Sequence, residues 1–200
     1  MRWDKLFDDL ESQLELELGA EELDVVAEEE RLRLGRLTLR DRLVALTKAG
    51  GADAVAGLRL ELADGDTRVL RPTAVGRDWL AGELQGAGSE RTAAVVPISA
   101  ISSIVPSPVE LARSIRPEPA PEPATALSAR LGLSFVLRDL CRRRTAVELS
   151  VADGRHHGTI DRVGRDHLDL AEHDAGAPRR ASAVIRTRIV PIDRIVLVRF

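Results

Sequence analysis

The chain of 200 residues has no tyrosine, two tryptophans and three phenylalanines, so its cores must be built from Leu, Val, Ile and Ala. The same scarcity leaves little material for stacking bases on aromatic rings. A single cysteine, Cys141, excludes an internal disulfide. No apolar run approaches the roughly 18 residues that a membrane-crossing helix requires, which excludes one. The opening Met1-Arg2-Trp3-Asp4-Lys5 is too charged for a signal peptide, and a cytoplasmic location is expected. Lysine occurs only at Lys5 and Lys48, so arginine supplies nearly all the positive charge.

Catalytic signatures are also missing. There is no Gly-x-Ser-x-Gly elbow, no glycine loop placed to cradle a phosphate and no dinucleotide fingerprint, so neither an enzyme nor a cofactor is expected. His156, His157, His167 and His173 do not follow metal-ligand spacing, and no second cysteine joins them. Adjacent His156 and His157 on a strand point to opposite faces. No metal site is expected.

What is present is charge that is unevenly placed, and a repeat. Residues 1–125 hold 15 basic and 23 acidic side chains, a net of −8, whereas residues 126–200 hold 14 and 9, a net of +5. Trp3, Phe7, Leu10, Leu14 and Leu18 recur at helical spacing, and a second acidic helix is expected from about Glu21 to Arg33.

The repeat is the strongest signal. Leu58-Arg59-Leu60-Glu61-Leu62-Ala63-Asp64-Gly65 matches Val147-Glu148-Leu149-Ser150-Val151-Ala152-Asp153-Gly154, each an alternating strand that runs into a hairpin. Val75-Gly76-Arg77-Asp78-Trp79-Leu80 matches Val163-Gly164-Arg165-Asp166-His167-Leu168. Val95-Val96-Pro97-Ile98-Ser99-Ala100-Ile101 matches Ile189-Val190-Pro191-Ile192-Asp193-Arg194-Ile195. Upstream, Leu34-Gly35 and Leu39-Arg40-Asp41 match Leu131-Gly132 and Leu137-Arg138-Asp139, so a short helix should precede each sheet.

Pro106 to Thr125 holds six of the ten prolines and reads as a linker, within which Arg116–Pro123 should be an extended spacer. The expected organisation is acidic helices over 1–33, a first repeat over 34–105, a linker over 106–125 and a second repeat over 126–200. Strands of the second repeat are expected near 146–152, 157–163, 167–172, 183–190 and 194–199. Gly158 marks a bend after its hairpin, and the first repeat has Leu70-Arg71-Pro72 near that point, which predicts a less regular second strand there.

Asp153-Gly154, Gly158 and Gly164-Arg165-Asp166-His167-Leu168-Asp169-Leu170 resemble the Sm-like family, which includes Hfq. The resemblance covers roughly 34–104 and 131–200. It implies two tandem helix-plus-five-strand small barrels, Sm-like or SH3-like, so that with the N-terminal helical extension read above the expected fold class is α+β, mainly β. It also implies assembly by edge-strand pairing, with RNA bound at loops. The family's RNA-contacting residues are not matched, since Asp169 and Arg194-Ile195 stand where its motifs fall. The whole chain is also similar to an uncharacterised actinobacterial family whose members are sometimes labelled Fis-type regulators. Residues 189–200 read as strands, not as the helix-turn-helix which that label requires.

Arginine suits anions because its planar fork donates two parallel hydrogen bonds. Arg142, Arg143, Arg144, Arg155, Arg165 and His167 are therefore the candidate nucleic-acid or anion-binding residues. The expected role is a non-enzymatic interaction or assembly module with a protein partner or itself. The alternative is an RNA- or DNA-binding regulator using the second repeat. No membrane partner is expected.

Overall fold

In Leu58–Leu62 every second side chain is buried, which is what a strand with one face on a core requires. That strand, β1, opens the sheet in a computed structural model that describes residues 25–48, 57–86, 91–116, 128–176 and 180–200. The expected helix over Trp3–Leu18 and the proline run 117–123 lie outside the described residues.

Residues 1–38 and 39–200 are separate compact units. In the first, helix α1 covers 25–36. It carries Glu–Arg pairs three residues apart, Glu28–Arg31 and Glu30–Arg33, and leaves Val25, Val26 and Leu32 exposed. It ends beyond the expected Arg33, with Leu34 and Gly35 in its last turn. Gly132, the matched glycine, is instead the N-cap of a later helix, so the two stretches differ in structure.

The second unit holds both repeats. Helix α2 (Leu39–Lys48) precedes β1, β2 (Thr67–Val75), β3 (Trp79–Gln85), β4 (Arg91–Pro97) and β5 (Ile101–Val105). Helix α3 (Pro108–Ser114) follows, at the start of the expected linker and before the stretch expected to be extended. Its start is a capping box: Ser107 accepts from the Glu110 amide, Glu110 accepts from the Ser107 amide, and Pro108 takes the first turn, where its missing N–H costs nothing. Helix α4 (Leu133–Arg143) then precedes β6 (Ala146–Val151), β7 (Gly154–Val163), β8 (His167–Glu172), β9 (Arg186–Pro191) and β10 (Ile195–Arg199). All five strands of the second repeat fall close to their expected places.

Their arrangement overturns the expected pair of barrels. The ten strands form one antiparallel open sheet in the order β5-β1-β2-β3-β4-β10-β6-β7-β8-β9. Neither repeat closes on itself. The fourth strand of the first repeat pairs with the fifth strand of the second, Val95 opposite Val198 and Ala94 opposite Arg199. The Phe200 amide continues the ladder to the Ala93 carbonyl at 3.0 Å. The alternation within a strand specifies which face is buried and not which strand lies alongside, so residue pattern alone does not distinguish closure within a repeat from pairing between repeats.

Two cores result, and each borrows from the other repeat. Val196 and Leu197 of β10 join the core under β1–β4, with Leu43 and Leu46 of α2. Trp79 and Val95 join the core of Leu133, Leu137 and Leu140 of α4 with Leu149 and Leu168. Both second strands carry a bulge, between Pro72 and Ala74 in β2 and between Ile160 and Arg162 in β7. The irregularity expected of the first repeat alone is therefore shared.

Close strand approach needs a glycine in each repeat, but on different strands. A Cβ on Gly158 of β7 would collide with the Ala171 carbonyl oxygen of β8. In the first repeat the glycine is Gly82 of β3, and its added Cβ would collide with the Arg71 carbonyl oxygen of β2. Backbone atoms cannot swing aside as a side-chain end does. Gly158→Ala and Gly82→Ala should each destabilise the fold by about 1–3 kcal/mol in urea denaturation, while Gly35→Ala, with open space around its Cβ, should not.

Candidate interaction surface

The matched motif Gly-Arg-Asp-Trp/His forms one turn twice. The Gly76 amide donates to the Trp79 carbonyl and the Gly164 amide to the His167 carbonyl, both at 2.8 Å. The aromatic ring packs over the glycine in each case, where a Cβ would meet it. The Asp78 carbonyl accepts from Ile98 at 2.9 Å and the Asp166 carbonyl from Ile192 at 2.8 Å. Arg40 of α2 donates to the Gly76 carbonyl at 2.8 Å, and Arg138 of α4 to the Gly164 carbonyl at 3.3 Å.

Only the surroundings differ. In the first repeat the turn is covered by the second. Trp79 is 7% exposed, and its indole N–H donates to the Leu131 carbonyl at 2.9 Å. The Arg77 amide donates to the same carbonyl at 3.0 Å. Asp78 Oδ1 accepts from the Leu133 amide at 2.7 Å, which satisfies a free donor at the start of α4. Val95 beside this turn is 2% exposed, opposite Val198 of β10 and within the core that α4 helps to form.

In the second repeat the equivalent surface is bare. Ile189, which occupies the place of Val95, is 70% exposed. His167, which occupies the place of Trp79, is exposed, and its Nδ1 lies 2.8 Å from Asp166 Oδ1. That hydrogen bond holds the Asp166 carboxyl below the usual carboxylate range. A cleft of about 700 Å³ runs between the two turns, lined by Arg77 and Asp78, by Arg165 and His167, and by Ile189 and Pro191.

The six candidate residues separate into two groups. Arg165 and His167 line this cleft. Arg142 and Arg143 both reach back to Asp139 on the last turns of α4, the second at 2.7 Å. Arg144 ends that helix with φ of 54° and pairs with Asp161 at 2.8 Å. Arg155 bridges the repeats to Asp66 at 3.2 Å. Each of these four carries a carboxylate partner, which opposes attraction of a phosphate.

One cluster escaped the sequence reading. Glu172 at the end of β8 has only 8% of its side chain exposed. It accepts from Arg188 Nε at 2.7 Å and from Arg186 Nε, and His156 Nδ1 lies 3.1 Å away. Burial pushes its carboxyl up, but the two arginines outweigh that and hold it below the ordinary value. Arginines two apart on β9 share one face, so Arg186-Thr187-Arg188 was the available clue. His156 and His157 do lie on opposite faces, with His157 edge-on to the buried His173, ring centroids 5.4 Å apart. His173 Nε2 lies 2.9 Å from the Thr159 hydroxyl. Among the described residues no group of three or more His, Cys, Asp and Glu side chains could hold a metal ion. No described helix is long and apolar enough to cross a membrane.

The folded value of Glu172 lies below its unfolded one, so its stabilisation is complete above about pH 4.3 and fades as pH falls through the folded value. Glu172→Gln should cost about 1–3 kcal/mol at neutral pH and flatten the acid limb of stability against pH. An unchanged acid limb in thermal melts from pH 3 to 7, about the span of a carboxylate titration, would show that Glu172 does not carry it.

Comparison with protein families, with curated proteins and with solved structures found no match for this chain.

Proposed function

We propose that this chain is a non-enzymatic interaction module that takes up an apolar strand of a protein partner along β9, beside the cleft. The supporting observation is the contrast between Val95 and Ile189. One residue position in one repeated motif is 2% exposed where a strand lies alongside and 70% exposed where none is described. Unpaired edge amides and carbonyls are a template for another strand, and pairing them while covering Ile189 is favourable on both counts. Among the described residues nothing pairs with the outer side of β9. The Sm-like resemblance, which implies assembly through edge strands, is kept in that respect and without closed barrels.

The alternative, RNA or DNA bound by the second repeat, has less behind it. Four of its six candidate residues are held in ion pairs. The reading is tested with a probe that the molecule itself suggests. A peptide with the sequence of residues 195–200, the strand that fills the corresponding edge in the first repeat, should bind β9 when it carries a solubilising tail. Amide shifts should be confined to β8, β9 and the turn at His167, should change little with salt, and should vanish in Ile189→Lys. No peptide binding, together with a salt-dependent shift of a single-stranded RNA, would replace this reading with the alternative.

A further inference from the structure

The first repeat presents, at its own free edge, the counterpart of the strand that covers Val95. By the motif match, Ile101–Val105 (β5) stands in the first repeat where Ile195–Arg199 (β10) stands in the second. The registers agree. Ile104 lies opposite Leu60 of β1, and Val198 lies opposite Leu149 of β6, with Leu60 and Leu149 themselves matched. So β5 is held by β1 as β10 is held by β6, while only β10 has a described neighbour on its other side.

The two ends of the sheet are therefore complementary. One is a fourth strand lacking a fifth, the other a fifth strand lacking a fourth, and the chain already contains that joint once. We infer that the partner of β9 is β5 of a second molecule of this chain, paired in the register of the internal joint. Ile189 of one molecule then faces Ile104 of the next, as Val95 faces Val198, and Arg188 faces Val105. This rests on reading the β9 edge as the interaction surface.

Apolar exposure at both ends supports the choice of occupant. Val105 is 50% exposed and Leu39 of α2 is 41% exposed, whereas Leu137, the counterpart of Leu39 on α4, is fully buried. An apolar groove of about 250 Å³ lies beside β5, lined in part by Leu39, Leu46, Ile101, Ile104 and Leu111. Three parts of the internal joint do not carry over. The Leu131 carbonyl, which accepts from Trp79 and Arg77, is matched by Leu34 in the last turn of α1, and His167 replaces the indole. Pro106 stands in the place of Phe200 and has no amide to donate, so one ladder bond is missing. Asp166 is engaged by His167, whereas Asp78 caps α4. The contact between molecules is accordingly weaker than the contact within one. It is also heterologous, head to tail, so it can continue beyond a dimer.

The full chain tests this directly by light scattering across a concentration series, with disulfide trapping in a Cys141→Ser background. Mass should rise above 21.8 kDa with concentration, and Ile189→Lys should return it to that of one chain. Ile189 is exposed, so this variant should keep its fold, as its circular dichroism would verify. Chains carrying Ile104→Cys should cross-link with chains carrying Ile189→Cys, and neither should cross-link with itself, since trapping needs Cα atoms within about 7 Å. A chain that stays monomeric at every concentration would overturn the inference. So would trapping only between like chains, or association that survives Ile189→Lys. If the chain is monomeric while the 195–200 peptide still binds β9, only the choice of partner has failed. If the peptide also fails to bind, the interaction reading has fallen with it.

Discussion

The pairing of β4 with β10 is the constraint on which the rest of the molecule depends. It is short in register, with Val95 opposite Val198, Ala94 opposite Arg199 and the Phe200 amide closing on Ala93. Yet it turns two five-stranded halves into one ten-stranded sheet. Because strands bring their neighbours, it also carries Val196 and Leu197 into the first core, and Trp79 and Val95 into the second. Burying those side chains contributes on the order of 1.5–3 kcal/mol for each large aliphatic residue, several times what exposed ion pairs such as Arg155–Asp66 supply.

The same joint explains why the repeats diverged where they did. The turn at residues 76–79 and its counterpart at 164–167 keep the same hydrogen bonds, so the selected geometry is common to both. The residue above the glycine is tryptophan where the second repeat lies over it, and its indole N–H finds a carbonyl there. It is histidine where that surface is open, beside an exposed aspartate. A buried aromatic with a satisfied N–H and an exposed imidazole with a carboxylate are the expected solutions for those two settings.

Much of this was legible in the residues. Alternation in Leu58–Leu62, the Asp-Gly hairpins and the paired anchors located the strands, the helices before each sheet and the equivalence of the repeats. Three things were not. Partner choice between strands is invisible to alternation, which is why closed barrels were expected where an open sheet stands. Helix α3 was hidden by the prolines around it, although Ser107-Pro108-x-Glu110 is a helix start with a physical reason at each position. The candidate arginines were chosen by charge alone, and charge does not say that Asp139, Asp161 and Asp66 already hold four of them. At the candidate surface, Arg165 and His167 were anticipated. Ile189 was not, because a lone isoleucine in a strand carries no mark of which neighbour it lacks.

The central claim is that one joint makes both repeats a single cooperative body, and native-state hydrogen exchange of Val198→Ala tests it most directly. Val198 is fully buried at the joint, so its truncation leaves a cavity there. The slowest amides of β3 in the first repeat and of β6 and β7 in the second should lose protection by the same factor. Loss confined to the second repeat, with β3 unchanged, would show that the halves fold separately and would contradict the account.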